Sequence, residues 1–250
     1  MYADLHIHSV LSPCADRAMI PQNIFPQVDK VGINIFAICD HNSGWNVRAF
    51  SDFGKEFYPE IVVVPGIEIT TKEEVHVVGL FPSVERVEAI SIILESLLPD
   101  VQAHPDIYSP QLVIDYMGTP IREVSKPLYY AVNLSLEETV ELIREHKGIA
   151  ISAHIDRPSF SVISQLGSVP DNLFNVVEVS PTGCKQAILS RNVNMRGMSF
   201  PVPEELTIIS SSDAHSLDEI GCVKTKLDID LYSFKGLLDI LRKQPEIEIS

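Results

Sequence analysis

The sequence predicts an α/β protein whose strands form a mostly parallel sheet, arranged as a barrel with its working residues gathered at one end. Three observations predict this. Short β-branched runs alternate with segments of helical periodicity, the order that produces parallel sheets. Six of the eight histidines stand at or just beyond the ends of apolar runs, and carboxylates stand beside most of them. The chain has 250 residues and is 45% hydrophobic, enough for one large core of the size common among α/β barrels.

The elements follow in order. Tyr2 to His8 alternates and reads as a strand. Ile20 to Val31 reads as a helix, with Pro21 near its start, Ile24, Val28 and Val31 on one face and Gly32 after its end. Asn34 to Cys39 is a buried strand that delivers Asp40 and His41. Ile61 to Val64 is another and leads into Gly66-Ile67-Glu68. Val75 to Leu80 is a third β-branched run, with His76 inside it. Ser83 to Leu98 is helical by the spacing of Val87, Ile90, Leu94 and Leu97. Ser135 to Lys147 carries a capping box, Ser135 with Glu138, and stops at Gly148. Strands at Ile149–Ala153, Asn175–Val179 and Thr207–Ser211 follow, the first delivering His154 and the last Asp213 and His215. Ser233 to Arg242 is a closing helix. The stretch 99–127, rich in Pro, Asp and Tyr, breaks the alternation and reads as an insertion or lid within a single domain spanning 1–250. The stretch 180–203 reads as loop.

Composition limits the partners. With 19 Lys+Arg against 34 Asp+Glu the net charge is −15. So acidic a chain disfavours binding to a nucleic-acid backbone, and duplex nucleic acid is not expected as a partner. The four cysteines, Cys14, Cys39, Cys184 and Cys222, form no C-x-x-C pair and read as free thiols of a reducing cytoplasm. The start shows no basic region followed by an apolar stretch, so no signal peptide is expected. No apolar run approaches the roughly 20 residues of a membrane helix.

Imidazoles and carboxylates together are ligands for borderline divalent metals such as zinc, manganese and iron. On a strand, His6 and His8 share a face and can chelate one ion. Glu68 and Asp213 are natural suppliers of its remaining ligands. A carboxylate can bridge, so Glu68 could also serve a second ion with His76 and His154. His41 and His215, with Asp16, could hold a third. Asp40, beside His41, is a candidate acceptor for orienting a ligating ring. His104 and His146 read as ordinary polar residues, Glu178 as a carboxylate that could face the site but more readily pairs with a neighbour, and Cys14 as a packed residue near the site, with an adventitious soft ligand as the alternative.

Taken together, Asp4-Leu5-His6-Ile7-His8-Ser9, Asp40-His41, Gly66-Ile67-Glu68, the His76 segment, Ala153-His154 and Ser212-Asp213-Ala214-His215 resemble the polymerase and histidinol phosphatase (PHP) domain. The motifs occur in that family's order across positions 4 to 215. The resemblance implies a distorted (β/α)₇ barrel, TIM-like, with two or three divalent ions. It implies His6, His8, Glu68 and Asp213 on one ion, Glu68, His76 and His154 on a second, and Asp16, His41 and His215 on a third. The chain departs from the family pattern in three ways. Extra residues precede Asp16. Ile155 stands where a proline is usual, with Arg157 shortly after as the candidate phosphate clamp. No polymerase domain accompanies the motifs.

The expected function is hydrolysis of a small phosphate monoester, a nucleotide or an oligonucleotide end, by attack of a hydroxide that the ions share. One alternative is a metal-binding regulatory or scaffold module without turnover. The other is a metal-dependent amidohydrolase, ranked lower because no lysine stands at a strand end to bridge metals. The oligomeric state is not legible.

Overall fold

The computed structural model describes residues 1–104, 109–229, 232–241 and 243–249. Its elements in chain order are β1 (Tyr2–Ile7), α1 (Pro21–Lys30), β2 (Ile35–Ile38), α2 (Val47–Phe57), β3 (Val62–Thr70), β4 (His76–Leu80), α3 (Val84–Leu97), β5 (Leu112–Ile114) and β6 (Pro120–Glu123). There follow α4 (Leu136–Glu145), β7 (Ile149–Ser152), α5 (Val162–Leu166), β8 (Val176–Val179), α6 (Cys184–Ser190), β9 (Asn192–Met195), β10 (Met198–Pro201), β11 (Thr207–Ser210), β12 (Val223–Lys226), α7 (Phe234–Ile240) and β13 (Glu246–Ile249). Every strand and helix read from the sequence is present. Of the closing helix, Arg242 lies outside the described residues, as do residues 105–108 of the stretch 99–127.

The main sheet runs β11-β8-β7-β4-β3-β2-β1-β12-β13. It curls into a barrel. Beyond β11, Ala214 bridges Ile7 in parallel, and the His8 amide donates to the Ala214 carbonyl. At the opposite end β12 wedges between β1 and β11. It pairs with β1 antiparallel and meets β11 through the Thr225 hydroxyl, which donates to the Ser210 carbonyl. Seven strands therefore make the ring, and β12 with β13 distorts it. The fold is the TIM-like barrel that the motifs imply.

The sheet is less parallel than the alternation predicts. β4 runs antiparallel to both β3 and β7. The reason is the link before it. Residues 71–75 form a turn in which the Thr71 amide donates to the Val75 carbonyl, whereas a parallel crossover needs a dozen residues or more. The reversal has a consequence for the site. It puts His76, at the start of β4, opposite Thr70 at the end of β3, on the same rim as the carboxyl ends of the parallel strands.

Two apolar layers hold the barrel. The inner one includes Leu5, Ala37, Cys39, Val64, Val78, Ile151, Val176 and Ile209, closed at the far end by Leu237 and Leu241 of the α7 region. The outer one packs Phe36, Ile67, Val77 and Ile208 against helix residues such as Phe25, Phe50, Leu94 and Ile143. Alternation carries the inner face upward to the rim. Val64, Gly66 and Glu68 share one parity, as do Val176 and Glu178, and Ile209, Ser211 and Asp213. Gly66 must be glycine, since a Cβ there would lie 2.5 Å from the Cys39 sulfur.

The Ser135–Glu138 capping box forms as expected: the Glu138 amide donates to Ser135 Oγ at 3.2 Å, and the Ser135 amide donates to Glu138 Oε2 at 2.7 Å. Helix α2 and the hairpins β5–β6 and β9–β10 add elements that periodicity did not reveal. No helix among the described residues is long and apolar enough to cross a membrane.

Candidate metal centre

Glu68 is the hub of the rim. It is 1% exposed, and five imidazoles meet its two oxygens. His76 Nδ1 lies 2.8 Å, His154 Nε2 3.1 Å and His6 Nε2 3.4 Å from Oε1, while His41 Nδ1 lies 2.9 Å and His8 Nε2 3.5 Å from Oε2. Asp213 Oδ1 closes the other side, 3.0 Å from His8 Nε2 and 3.4 Å from His6 Nε2. The two Nε2 atoms of His6 and His8 are 3.2 Å apart. The barrel thus gathers segments from both halves of the chain onto one point.

The predicted pairing of His6 with His8 is present, though not through simple strand alternation. The pairing of β1 with β2 shifts register between Asp4 and Ile7, and Leu5 packs in the inner layer while Ile7 packs in the outer one. His154 and Asp213 are held at φ 26° and 52°, left-handed conformations that cost a non-glycine residue on the order of 1 kcal/mol or more. Such strain collects at functional sites.

Buried groups behind the imidazoles fix which nitrogen faces the centre. Glu178, 2% exposed, stands 3.1 Å from His6 Nδ1 and so holds that nitrogen's proton, which makes Nε2, facing Glu68 and Asp213, the nitrogen a cation would take in place of a proton. The Ser12 hydroxyl donates to Asp40 Oδ1 at 2.7 Å and sits 2.9 Å from His8 Nδ1. His215 Nδ1 donates to the Asp213 carbonyl at 2.9 Å. Carboxylate or carbonyl partners behind metal-binding histidines are the usual arrangement.

The electrostatics follow. Burial raises the Glu68 pKa, but His76, His6, His41 and His154 outweigh it and hold the carboxyl well below its usual range. Asp213 is likewise held low, with burial outweighed by His6 and His8. Burial lowers His6, yet Asp213, Glu178 and Glu68 carry it well above its ordinary value. His41 is raised in the same way, chiefly by Glu68 and Cys14 against burial. His8 is pushed well below by burial, His215 and His41, and His76 by burial to about 4.

The remaining predicted residues are placed as follows. Asp40 does not engage the His41 ring by a hydrogen bond. It accepts from the Ser9 amide, the Ser9 hydroxyl and the Ser12 hydroxyl, so it acts on His8 through Ser12. Asp16 is exposed; among the described residues, no hydrogen bond or ion pair joins its carboxylate to the cluster. Instead Cys14 lies beside His41 and His215, whose contacts outweigh burial and bring its thiol down to about 6. Arg157 Nη1 pairs with Asp213 Oδ2 at 2.6 Å. Glu178, read as more readily paired with a neighbour, is brought to the centre on His6, while Cys14 is exposed rather than packed. The strand ending at Val179 carried a signal for Glu178 through its parity with Val176.

The donor set fits divalent cations. Nitrogen and oxygen donors converge in the groups His6-His8-Glu68, His41-Glu68-His76 and His8-His41-His215, each with its atoms within 4.8 Å of one another. Glu68 Oε2 and His41 Nδ1 face each other at 2.9 Å without hydrogen-bond geometry, and His154 Nδ1 is buried without a partner; a cation on Glu68 Oε2 and His41 Nδ1 would satisfy that pair. Beside the cluster opens a cavity of about 570 Å³ lined by Arg157, Asp213, His215, Ser180, Thr182 and Asn194.

Comparison with known proteins agrees with this geometry. A family model described as PHP-associated matches residues 194–244, the stretch that carries Asp213 and His215. Over 184 residues the chain is 28% identical to the uncharacterized protein MJ1587 of Methanocaldococcus jannaschii, covering 70% of this chain and 77% of that protein. Its fold is similar to the lesion-specific endonuclease PfuEndoQ of Pyrococcus furiosus (TM-score 0.63, 18% identity), where all of this chain matches 58% of the endonuclease. It is also similar to a proposed metal-dependent phosphoesterase from Bifidobacterium adolescentis (TM-score 0.56, 15% identity, 97% of this chain and 96% of that one). An amidohydrolase from Chromobacterium violaceum has the same fold (TM-score 0.57, 18% identity, 99% of this chain and 97% of that one).

Proposed function

We propose that this protein is a metal-dependent phosphoesterase that hydrolyses a small phosphate monoester, a nucleotide or an oligonucleotide end. The observation that carries the reading is Glu68, a buried carboxylate with five imidazoles on its two oxygens. Such a group can serve two cations at once. His6, His8, Glu68 and Asp213 would hold one, Glu68, His76 and His154 a second, and His41 and His215 a third. When bound, zinc, manganese or iron would supply a nucleophile from water at neutral pH and neutralise charge on the phosphoryl oxygens.

The protein's own groups do the rest. Glu178 and Ser12 fix the imidazole tautomers. Arg157 reaches the boundary between the cluster and the cavity, where its guanidinium can take a phosphate oxygen in place of Asp213 Oδ2. Ser180, Thr182 and Asn194 offer hydroxyl and amide groups to the leaving group. The described part of the stretch 99–127 would be an insertion near the site: the Asn46 side chain donates to the Leu112 carbonyl and accepts from the Ile114 amide.

Endonuclease Q has been seen with a 27-mer duplex bearing an abasic lesion at its active site. The fold therefore tolerates a duplex, and the expectation that duplex nucleic acid is excluded loses its support. The acidic charge favours the small substrate. No lysine is among the groups paired with Glu68 or Asp213 in the described residues, which ranks amide hydrolysis lower. The test is hydrolysis of p-nitrophenyl phosphate, mononucleotides and an abasic duplex with added manganese or zinc. Turnover that chelator removes and His6→Ala abolishes supports the reading. Bound metal with no phosphate-ester hydrolysis supports the scaffold alternative.

A further inference from the structure

The cavity beside the cluster carries two kinds of chemistry. Arg157, Asp213 and His215 bring it against the metal-binding groups, while Thr182, Gln186 and Asn194 line it with neutral polar side chains. Its volume, about 570 Å³, is ordinary for a small-molecule site. Among the described residues that line it there is no Phe, Tyr or Trp. Thr182 stands between β8 and α6, and Asn194 lies in β9. The Arg196 guanidinium, next to the β9–β10 turn, donates to the Pro158 carbonyl at 2.8 Å, which ties this hairpin to the loop that carries Arg157.

The hydrogen-bond directions on this wall are fixed from behind. The Ser180 hydroxyl gives its one proton to Asp156 Oδ2, so toward Thr182 Oγ1, 3.0 Å away, it can only accept. Thr182 therefore spends its proton on Ser180 and turns lone pairs to the cavity. Asn194 Nδ2 donates to Gln186 Oε1 at 3.0 Å, which leaves Asn194 Oδ1 as an acceptor and Gln186 Nε2 as a donor. The wall thus offers acceptors and a donor side by side, all of them uncharged.

We propose that this cavity takes a polyol, so that the substrate is the phosphate monoester of a small sugar or sugar alcohol. A hydroxyl both donates and accepts, and successive hydroxyls on one carbon chain can satisfy Thr182, Asn194 and Gln186 together. A nucleobase would meet no aromatic ring to stack on, the contact by which proteins commonly hold unpaired bases. An ammonium group would meet carboxylates already in use: both Asp156 oxygens accept from Ser180, and Glu219 Oε2 accepts from the His215 and Ser216 amides. Hydrolysis breaks the phosphorus–oxygen bond to the polyol, water supplies the oxygen that replaces it, and a proton from that water ends on the released hydroxyl. The proposal rests on the phosphoesterase reading of the metal centre and names the alcohol that this reading leaves open.

The experiment measures kcat/KM of the full chain, loaded with manganese or zinc, on glucose phosphate, sorbitol phosphate, adenosine monophosphate, ethanolamine phosphate and p-nitrophenyl phosphate. The two polyol esters should exceed the nucleotide and the amino-alcohol ester by about 10-fold or more, the scale of one net hydrogen bond. Thr182→Val should lower kcat/KM for glucose phosphate about 10-fold further than for p-nitrophenyl phosphate, which has no hydroxyl to lose, and Thr182→Ser should restore the difference. A merely structural role would lower both esters alike. Saturation-transfer NMR of glucose phosphate in chelator reads binding apart from turnover; transfer to the sugar protons should be weaker in Thr182→Val. Preference for the nucleotide or the amino-alcohol ester, or equal losses in Thr182→Val on both esters, overturns the polyol assignment and leaves the phosphoesterase standing. Metal-loaded protein that hydrolyses none of the five overturns both.

Discussion

Ser12 and His8 are joined by a hydrogen bond whose direction is fixed from behind. The Ser12 hydroxyl has one proton and gives it to Asp40 Oδ1 at 2.7 Å, so toward His8 Nδ1, 2.9 Å away, it can only accept. His8 therefore carries its proton on Nδ1 and turns the Nε2 lone pair to Asp213 and Glu68. Ser12→Ala should free the tautomer and weaken metal retention by about 10- to 100-fold, with Ser12→Thr close to wild type. Equilibrium competition with a coloured chelator measures this. Equal retention in Ser12→Ala and wild type would show that the hydroxyl does not orient the ring.

Glu68 should be the least replaceable residue. Glu68→Gln keeps the shape but removes the charge that meets His6 and His41, both raised well above the ordinary histidine pKa. Breaking a buried ion pair on one side costs about 3–5 kcal/mol. The metal-free variant should therefore melt well below metal-free wild type in a denaturant titration, and metal analysis should show more than one ion lost. Loss of a single ion would mean that the carboxylate does not bridge.

Acid and base should act oppositely on the empty and loaded protein. A raised histidine pKa stabilises the fold below the ordinary value near 6.5, and that gain is lost as pH rises through the raised value. The lowered pKa values of Glu68 and Asp213 stabilise above the usual carboxylate range and are lost as pH falls through the lowered values. In chelator, His8 and His76, both held low, cost stability as pH falls below the ordinary histidine value, so stability should peak near neutrality and fall toward alkaline pH as His6 and His41 give up their protons. With zinc the trend should reverse, because ligation needs neutral imidazole and competes with the protons on His6 and His41. Melting curves across this range with and without zinc test the crossing; parallel curves would contradict it.

Arg157 bonds to Asp213 Oδ2 and lines the cavity. As a phosphate clamp it should act mainly on the transition state. Arg157→Ala should lower kcat by about 10²-fold or more, the scale seen for loss of a charge-stabilising donor, and Arg157→Lys should recover only part of it. A rise in KM alone would restrict the guanidinium to ground-state binding.

Gly183 sits where a Cβ would collide with the Asp156 carboxylate, 2.1 Å from Oδ2. Asp156 in turn accepts from the amide and hydroxyl of Ser180, which faces the cavity. Gly183→Ala should displace this pair, destabilise the protein by about 1–3 kcal/mol and raise KM. An unchanged KM would remove Ser180 from substrate contact.

Much of this centre was legible because ligands at the ends of strands keep their parity with the core. Glu68 follows Val64 and Gly66, and Asp213 follows Ile209 and Ser211, so the inner-facing pattern alone aims both at the rim. What the pattern could not show was the direction of loops. Asp16 and Cys14 are two residues apart outside any strand and both are exposed; the Asp16 amide, not its carboxylate, bonds to His215. Glu178 shares parity with Val176, yet an isolated carboxylate gives no sign that a histidine from β1 will stand against it. The reversal of β4 could have been inferred, since its five-residue link is too short for a crossover.

The central claim is that Glu68 is a bridging ligand shared between cations. Diffraction from zinc-soaked crystals, with anomalous maps at the zinc edge, tests it most directly. Separate peaks are expected at about 2.0–2.2 Å from the two Glu68 oxygens. A Glu68 carboxylate that keeps its imidazole contacts and carries no ion under saturating zinc would contradict it.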